Sequence, residues 1–249
     1  MPYKQQQITS VRKWSDKTFS LKTTRPEDFE FKSGEFVTLG LRPEGKLIAR
    51  AYSIVSTNDA DHLEFLSIHV PDGPLTSHLA YSKEGDGIWI NTKATGSLTL
   101  DYIKPGRHLY LMATGTGLAP FMSLIRDPET YKQHDRVILV HTVRTVPELA
   151  YRHEIEELCG DHLRYVPTVT QESFKTCRRG ADLFRSGELF DMLDLPHADP
   201  EHDRVMLCGN PHMNQEMTDY LEANNWVMTN YKGVGNFTVE KAFVLAKED

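Results

Sequence analysis

The apolar residues of this chain follow one rhythm up to about residue 100 and a different one after Pro105. In the first stretch they come in short alternating runs: Glu35–Leu41, Leu63–Val70 and Ile88-Trp89-Ile90. Turn-forming groups separate them, at Arg42-Pro43-Glu44-Gly45, Pro71-Asp72-Gly73-Pro74 and Glu84-Gly85-Asp86-Gly87. Closely spaced alternating strands predict a small antiparallel β-barrel over residues 1–100, with one short helix around Thr76–Ala80. After Lys104-Pro105-Gly106-Arg107, longer apolar runs alternate with helical segments. The strands are expected at His108–Ala113, Val137–Thr142, Leu163–Val169 and Arg204–Cys208. The helices are expected at Pro120–Ile125, Pro147–Leu158, Ser186–Leu193 and Pro211–Asn224, with Phe121, Leu124 and Ile125 on one face of the first. This βαβ pattern predicts a doubly wound parallel sheet over residues 101–249, with ligands at the carboxyl ends of its strands.

Composition narrows the function classes. With 39% apolar and 25% charged residues the 249-residue chain reads as soluble and globular. No apolar run approaches the ~20 residues of a membrane span. Met1-Pro2-Tyr3-Lys4-Gln5-Gln6-Gln7 lacks the apolar core of a signal peptide, so a cytoplasmic location is expected. Cys159, Cys177 and Cys208 are scattered and odd in number, which fits neither a disulfide framework nor a zinc or iron–sulfur ligand set. A net charge of −7 argues against nucleic-acid binding. Residues 1–100 carry 12 basic and 12 acidic side chains out of totals of 28 and 35, leaving the acidic excess in the second half. The first half can therefore present a basic face.

Two short motifs suit phosphate-bearing cofactors. In Arg50-Ala51-Tyr52-Ser53 the guanidinium can pair with a pyrophosphate, the Tyr52 ring can lie on an isoalloxazine, and Ser53 can donate to the ring edge. A plain alternating strand, with Tyr52 in the core and Arg50 in solvent, explains those four residues equally well. Gly115-Thr116-Gly117-Leu118-Ala119-Pro120 follows an apolar strand directly. Its glycines allow close backbone approach to phosphate or nicotinamide, and Pro120 suits a first helical turn. Cys208-Gly209-Asn210-Pro211-His212-Met213 ends another strand, with Asn210 placed to cap the helix opened by Pro211. Arg144, after His141-Thr142-Val143, also lies past a strand end. With Arg178 and Arg179 it can bind the 2′-phosphate that distinguishes NADP from NAD.

In this order, RAYS, VPDGPLTSHL, ATGTGLAPFMSL, HTVR, CGNPHM and VEKAFV resemble the bacterial-type ferredoxin (flavodoxin)–NADP reductases over nearly the whole chain. The resemblance implies a non-covalently bound FAD, NADP(H) as hydride donor or acceptor, and ferredoxin or flavodoxin as one-electron partner. It also implies a monomer. By matching position Arg50, Ala51, Tyr52 and Ser53 would hold FAD, with Ile68, His69 and Val70 lining it largely through backbone. Leu75 and Thr76, at a helix start, would receive phosphate oxygens, with Pro74 beside them against the FAD. Thr116 would sit between flavin and nicotinamide, and Ala242 and Phe243 would cover the other flavin face. Gly115, Thr116, Gly117, Gly209, Asn210 and Met213 would surround NADP(H). Ser53, Tyr52 and Cys208 are the residues implied at the reacting atoms. The sequence departs from the family at Gln171, where arginine is usual, and at Arg178-Arg179, where glycine-arginine is usual. Two other readings remain at this point. One is a reductase serving free flavin or an oxygenase; the other is a flavin-binding redox sensor without turnover.

Overall fold

The computed structural model describes residues 3–241. Its first half is six antiparallel strands: β1 (Tyr3–Lys13), β2 (Thr18–Thr24), β3 (Phe36–Leu41), β4 (Ile48–Ser53), β5 (His62–Ile68) and β6 (Gly87–Asn91). They run in the order β4-β3-β6-β1-β2-β5. An antiparallel bridge between Ile54 and Phe65 joins the two edges and brings the sheet close to a barrel. Alternate side chains such as Leu21, Val37, Leu39, Leu63, Phe65, Ile88 and Ile90 fill its interior. Helix α1 (Thr76–Leu79) closes one end, with Leu75 and Leu79 in that core. Polar β1 is held by pairing on both sides, Tyr3–Gln7 against β6 and Ile8–Lys13 against β2.

The second half contains β7 (Gly106–Thr114), α2 (Leu118–Arg126), α3 (Pro128–Gln133), β8 (His134–Val143), α4 (Arg152–Leu158) and β9 (Leu163–Val169). It continues through α5 (Gly180–Ser186), α6 (Glu188–Leu193), β10 (Arg204–Gly209), α7 (Pro211–Ala223) and β11 (Phe237–Lys241). The five strands are parallel throughout, in the order β11-β10-β7-β8-β9. The chain winds outward from β7 through β8 to β9, then crosses back to β10 on the other side of β7. The carboxyl ends of β7 and β10 thus form the switch point where such sheets bind ligands.

Two expected helices are broken, each for a visible reason. Over Pro147–Leu158 only Arg152–Leu158 is α-helical, preceded by a 3₁₀ turn at Val146–Glu148. Tyr151 between them takes φ 59°, unusual for a bulky residue. Its hydroxyl donates to Glu64 Oε1 at 2.9 Å, so a buried contact with the first half offsets the local strain. Over Ser186–Leu193 the chain breaks at Gly187 (φ 86°), which ends α5 and starts α6. A further difference concerns α2. Its residues Leu118 to Ile125 are all buried, whereas the sequence pattern marks one apolar face. The barrel covers the second face: Val55, Leu66 and Leu98 share one apolar cluster with β7 and α2.

The two halves are also joined by buried polar groups. Arg126 at the end of α2 donates to Val55 O at 2.9 Å, Glu64 Oε2 at 3.2 Å and Glu154 Oε1 at 2.6 Å. Ser123 Oγ donates to Ser56 O at 2.8 Å. On the opposite side, Thr238 Oγ1 of β11 donates to Ser97 O at 3.2 Å.

Candidate active site

The 3₁₀ turn Gly115–Gly117 links β7 to α2 at the switch point. It packs against both β10 and β5, so the glycine motif of the second half touches a strand of the first. A Cβ on Gly117 would lie 2.1 Å from Cys208 O, so only glycine lets the turn lie this close to the end of β10. Asn210 N donates to Thr114 Oγ1 at 2.7 Å, tying the two strand ends together. The Asn210 side chain accepts from His212 N and caps α7, which Pro211 opens, as the sequence predicts. Cys208 is 1% exposed, and burial, with Glu240 nearby, pushes its thiol pKa well up. It is a neutral, space-filling group at this edge and not a thiolate. Thr116 is buried at the same point, whereas the Met213 side chain packs into the core under α7.

The arginines behave differently from one another. Arg144 lies just past β8; its backbone N donates to Glu148 Oε2 at 3.0 Å, and no carboxylate pairs with its side chain among the described residues. The loop that carries Arg178 and Arg179 is fastened to the same strand end, Gly180 N donating to Thr142 Oγ1 at 3.0 Å. All three follow the neighbouring strands β8 and β9, but Arg178 pairs with Glu188 and Arg179 with Asp182 and Glu216. Gln171 is exposed, its backbone N donating to Arg144 O at 2.9 Å.

On the barrel side, Arg50 is exposed near the end of β4, its guanidinium donating to Ala49 O at 2.8 Å and to no carboxylate among the described residues, and Ala51 is exposed beside it. Tyr52 is half-buried, edge-on to Phe65, with its hydroxyl 3.2 Å from Ser67 Oγ. Ser53 is half-buried at the strand's last position. Past β5, Val70 N and O both bond to Thr76 Oγ1, which closes the Val70–Thr76 loop and brings Pro74 to its exposed rim. The Leu75 side chain is core, so only its backbone is available there. Ile68 is half-buried at the end of β5, and the His69 ring turns towards Tyr81, lining a cavity of about 210 Å³ with Lys13 and Lys17. Ala242 and Phe243 lie outside the described residues.

His141 is fully buried behind the glycine turn, its Nε2 donating to Gly115 O at 3.0 Å. Burial lowers its pKa from 6.5 to about 4, and does the same for His134, whose Nδ1 donates to Gly106 O. Both are neutral in the fold and take up protons on unfolding. Their stabilisation is therefore complete above about pH 6.5 and declines as pH falls towards 4. Between pH 7 and 4.5 each is expected to remove roughly 2–3 kcal/mol. Urea midpoints measured across that range should drop steadily, and a flat profile would contradict the buried, neutral state of these rings.

An arginine with no acid partner among the described residues, a glycine turn that opens a helix and a strand-end serine make a donor set suited to a flavin pyrophosphate and a nicotinamide dinucleotide. A family model described as an oxidoreductase FAD-binding domain matches residues 6–99, and one described as an oxidoreductase NAD-binding domain matches residues 111–219. A ferredoxin–NADP reductase of Pseudomonas aeruginosa is 46% identical, over 96% of this chain and 97% of its own. The chain belongs to the ferredoxin–NADP reductase family. A flavodoxin/ferredoxin–NADP reductase of Rhodobacter capsulatus is 44% identical over 96% of this chain and 93% of its own. The solved structure of a Neisseria gonorrhoeae ferredoxin NADP+ reductase with bound FAD and NADP matches with a TM-score of 0.92 at 30% identity. That match covers 98% of this chain and 100% of the other.

In this family member one candidate group escaped the sequence reading. Glu240 of β11 stands in register with Cys208, accepting hydrogen bonds from Ser97 N and, at 3.0 Å, from Ser97 Oγ. Burial pushes its carboxyl pKa up. Its signal lay inside the VEKAFV motif, where nothing sets the acid apart until the strand pairing brings it to Cys208.

Proposed function

We propose that this ferredoxin–NADP reductase family member exchanges electrons in pairs with NADP(H) and singly with ferredoxin, with flavodoxin as a second partner. It would work as a cytoplasmic monomer, with a boundary between its two domains near residue 100. FAD, held non-covalently, supplies the hydride acceptance and single-electron release. The observation that carries this reading is the closure of Gly117 on the Cys208 carbonyl, with the same turn against β5. It brings the nicotinamide-side motifs to the barrel that holds the Arg50–Ser53 strand.

The chain's own residues then have defined tasks. Arg50 neutralises pyrophosphate, and Tyr52 and Ser53 hold the flavin ring. The backbone of Ile68, His69, Val70, Pro74, Leu75 and Thr76 follows the rest of the FAD. Gly115, Thr116, Gly117 and Gly209 give the nicotinamide its close approach, and the uncharged Cys208 sets its distance. Asn210 and Met213 support that edge from the start of α7, while Arg144, Arg178 and Arg179 select the 2′-phosphate. Acidic acceptors suit basic side chains around the flavin edge, with salt-sensitive association.

Anaerobic titration of the yellow protein tests the reading. NADPH should bleach the flavin at far lower concentration than NADH. Arg144→Ala should raise the KM for NADPH roughly 10- to 150-fold relative to NADH, the effect of a lost charge-assisted hydrogen bond. A purified protein without flavin absorbance rules out the FAD site, and equal effects on both nucleotides remove Arg144 from the phosphate site.

A further inference from the structure

Arg179 is engaged on two edges of its guanidinium. Nε and Nη2 donate to Asp182 Oδ2 and Oδ1, both at 2.8 Å, a fork closed within the first turn of α5. Nη1 donates to Glu216 Oε2 at 3.0 Å, across from α7. A phosphate engages arginine through a pair of N–H groups, either Nε with Nη2 or Nη1 with Nη2. Asp182 holds the first pair, in turn accepting from Arg185 Nη2 at 2.6 Å, which fixes it in place. Glu216 stands on the second. It makes only one contact with Arg179, and its Oε1 lies 3.7 Å from His212 Nε2 on the preceding turn, so it has another partner within reach.

We propose that Glu216 is a specificity-determining residue: its carboxylate occupies the edge of Arg179 that the NADP(H) 2′-phosphate requires and must leave when that phosphate arrives. Asp182 stays and orients the guanidinium. The inference rests on the reading of Arg179 as part of the 2′-phosphate site. A nucleotide without the 2′-phosphate makes no demand on that edge and is indifferent to Glu216. The residue therefore narrows the preference for NADPH over NADH, in a chain that also has glutamine at position 171. Arg144, with no acid on its side chain among the described residues, needs no such exchange.

Calorimetric titration of the flavin-loaded protein with adenosine 2′,5′-bisphosphate and with 5′-AMP tests this directly. Wild type, Glu216→Gln, Arg179→Gln and the double variant would be compared, alongside the KM values for NADPH and NADH. Glu216→Gln should tighten the bisphosphate by about two- to fivefold, the range of a half-exposed ion pair, with 5′-AMP and NADH unaffected. The gain should vanish when Arg179 is also replaced. Unchanged or weaker bisphosphate binding, an equal gain for 5′-AMP, or a gain that survives without Arg179 each overturns the inference. If Arg179→Gln abolishes the discrimination while Glu216→Gln does nothing, the inference alone falls. If Arg179→Gln leaves discrimination intact, the 2′-phosphate reading of Arg179 falls with it.

Discussion

Replacing Arg126 by methionine should lower the unfolding free energy by about 3–5 kcal/mol, because it strands a buried carboxylate. Glu64 is 5% exposed and lies on β5 of the barrel; Arg126 ends α2 of the other half. Tyr151 Oη also donates to Glu64, at 2.9 Å, and its ring lies 4.6 Å from that of Trp14. Without the guanidinium, Glu64 keeps only a phenol and its ionised form becomes costly. The double variant Glu64→Gln/Arg126→Met should recover most of the loss, since the buried charge is gone. Urea unfolding of the single and double variants gives the answer. A single-variant loss below about 1 kcal/mol, or no recovery in the double, would show that the pair is solvated and does not clamp the halves together.

Gly117→Ala should push the glycine turn away from β10, whereas Gly115→Ala should leave the turn where it is. Gly117 has φ −60°, which alanine accepts, so the fault is purely one of space: its Cβ would lie 2.1 Å from Cys208 O and 2.5 Å from Cys208 C. The turn must then back away from β10, with an expected cost of about 1–3 kcal/mol from overpacking. A displacement of that order should slow single-turnover flavin reduction by NADPH roughly 100-fold. Gly115 presents the opposite case, with φ 54° and nothing within 4 Å of an added Cβ. Alanine there incurs backbone strain of roughly 1–2 kcal/mol and no clash. Urea unfolding of the two variants separates these causes, and a Gly117→Ala protein whose flavin NADPH reduces at the wild-type rate would sink the close-packing account of Gly117.

The core strands β7, β8 and β10 were legible because a strand buried on both faces is largely apolar along its length. The Asn210–Pro211 helix start was legible because a cap is a matter of a few neighbouring residues. β1 was not, since Gln5-Gln6-Gln7 has no apolar alternation and takes its place from partners on either side. Nor could periodicity predict that α2 is covered all round, because the residues on its second face come from the barrel. Glu240 needed the pairing of β11 with β10 before it stood beside Cys208. The sequence marked Arg144, Arg178 and Arg179 after two expected strands but was silent on their acids, since Glu216 lies on α7, 37 residues from Arg179.

Local order in the chain was thus enough for the two sheet types, the glycine turn and the motif sequence that marks the family. These depend on contacts within a few residues or on burial that a whole segment shares. Tertiary structure decided which of those motifs meet, which arginines are already engaged, and why Tyr151 leaves its helix for a carboxylate 87 residues earlier. Such choices turn on the desolvation of single charged and polar groups, whose cost is set by neighbours that only the folded chain supplies.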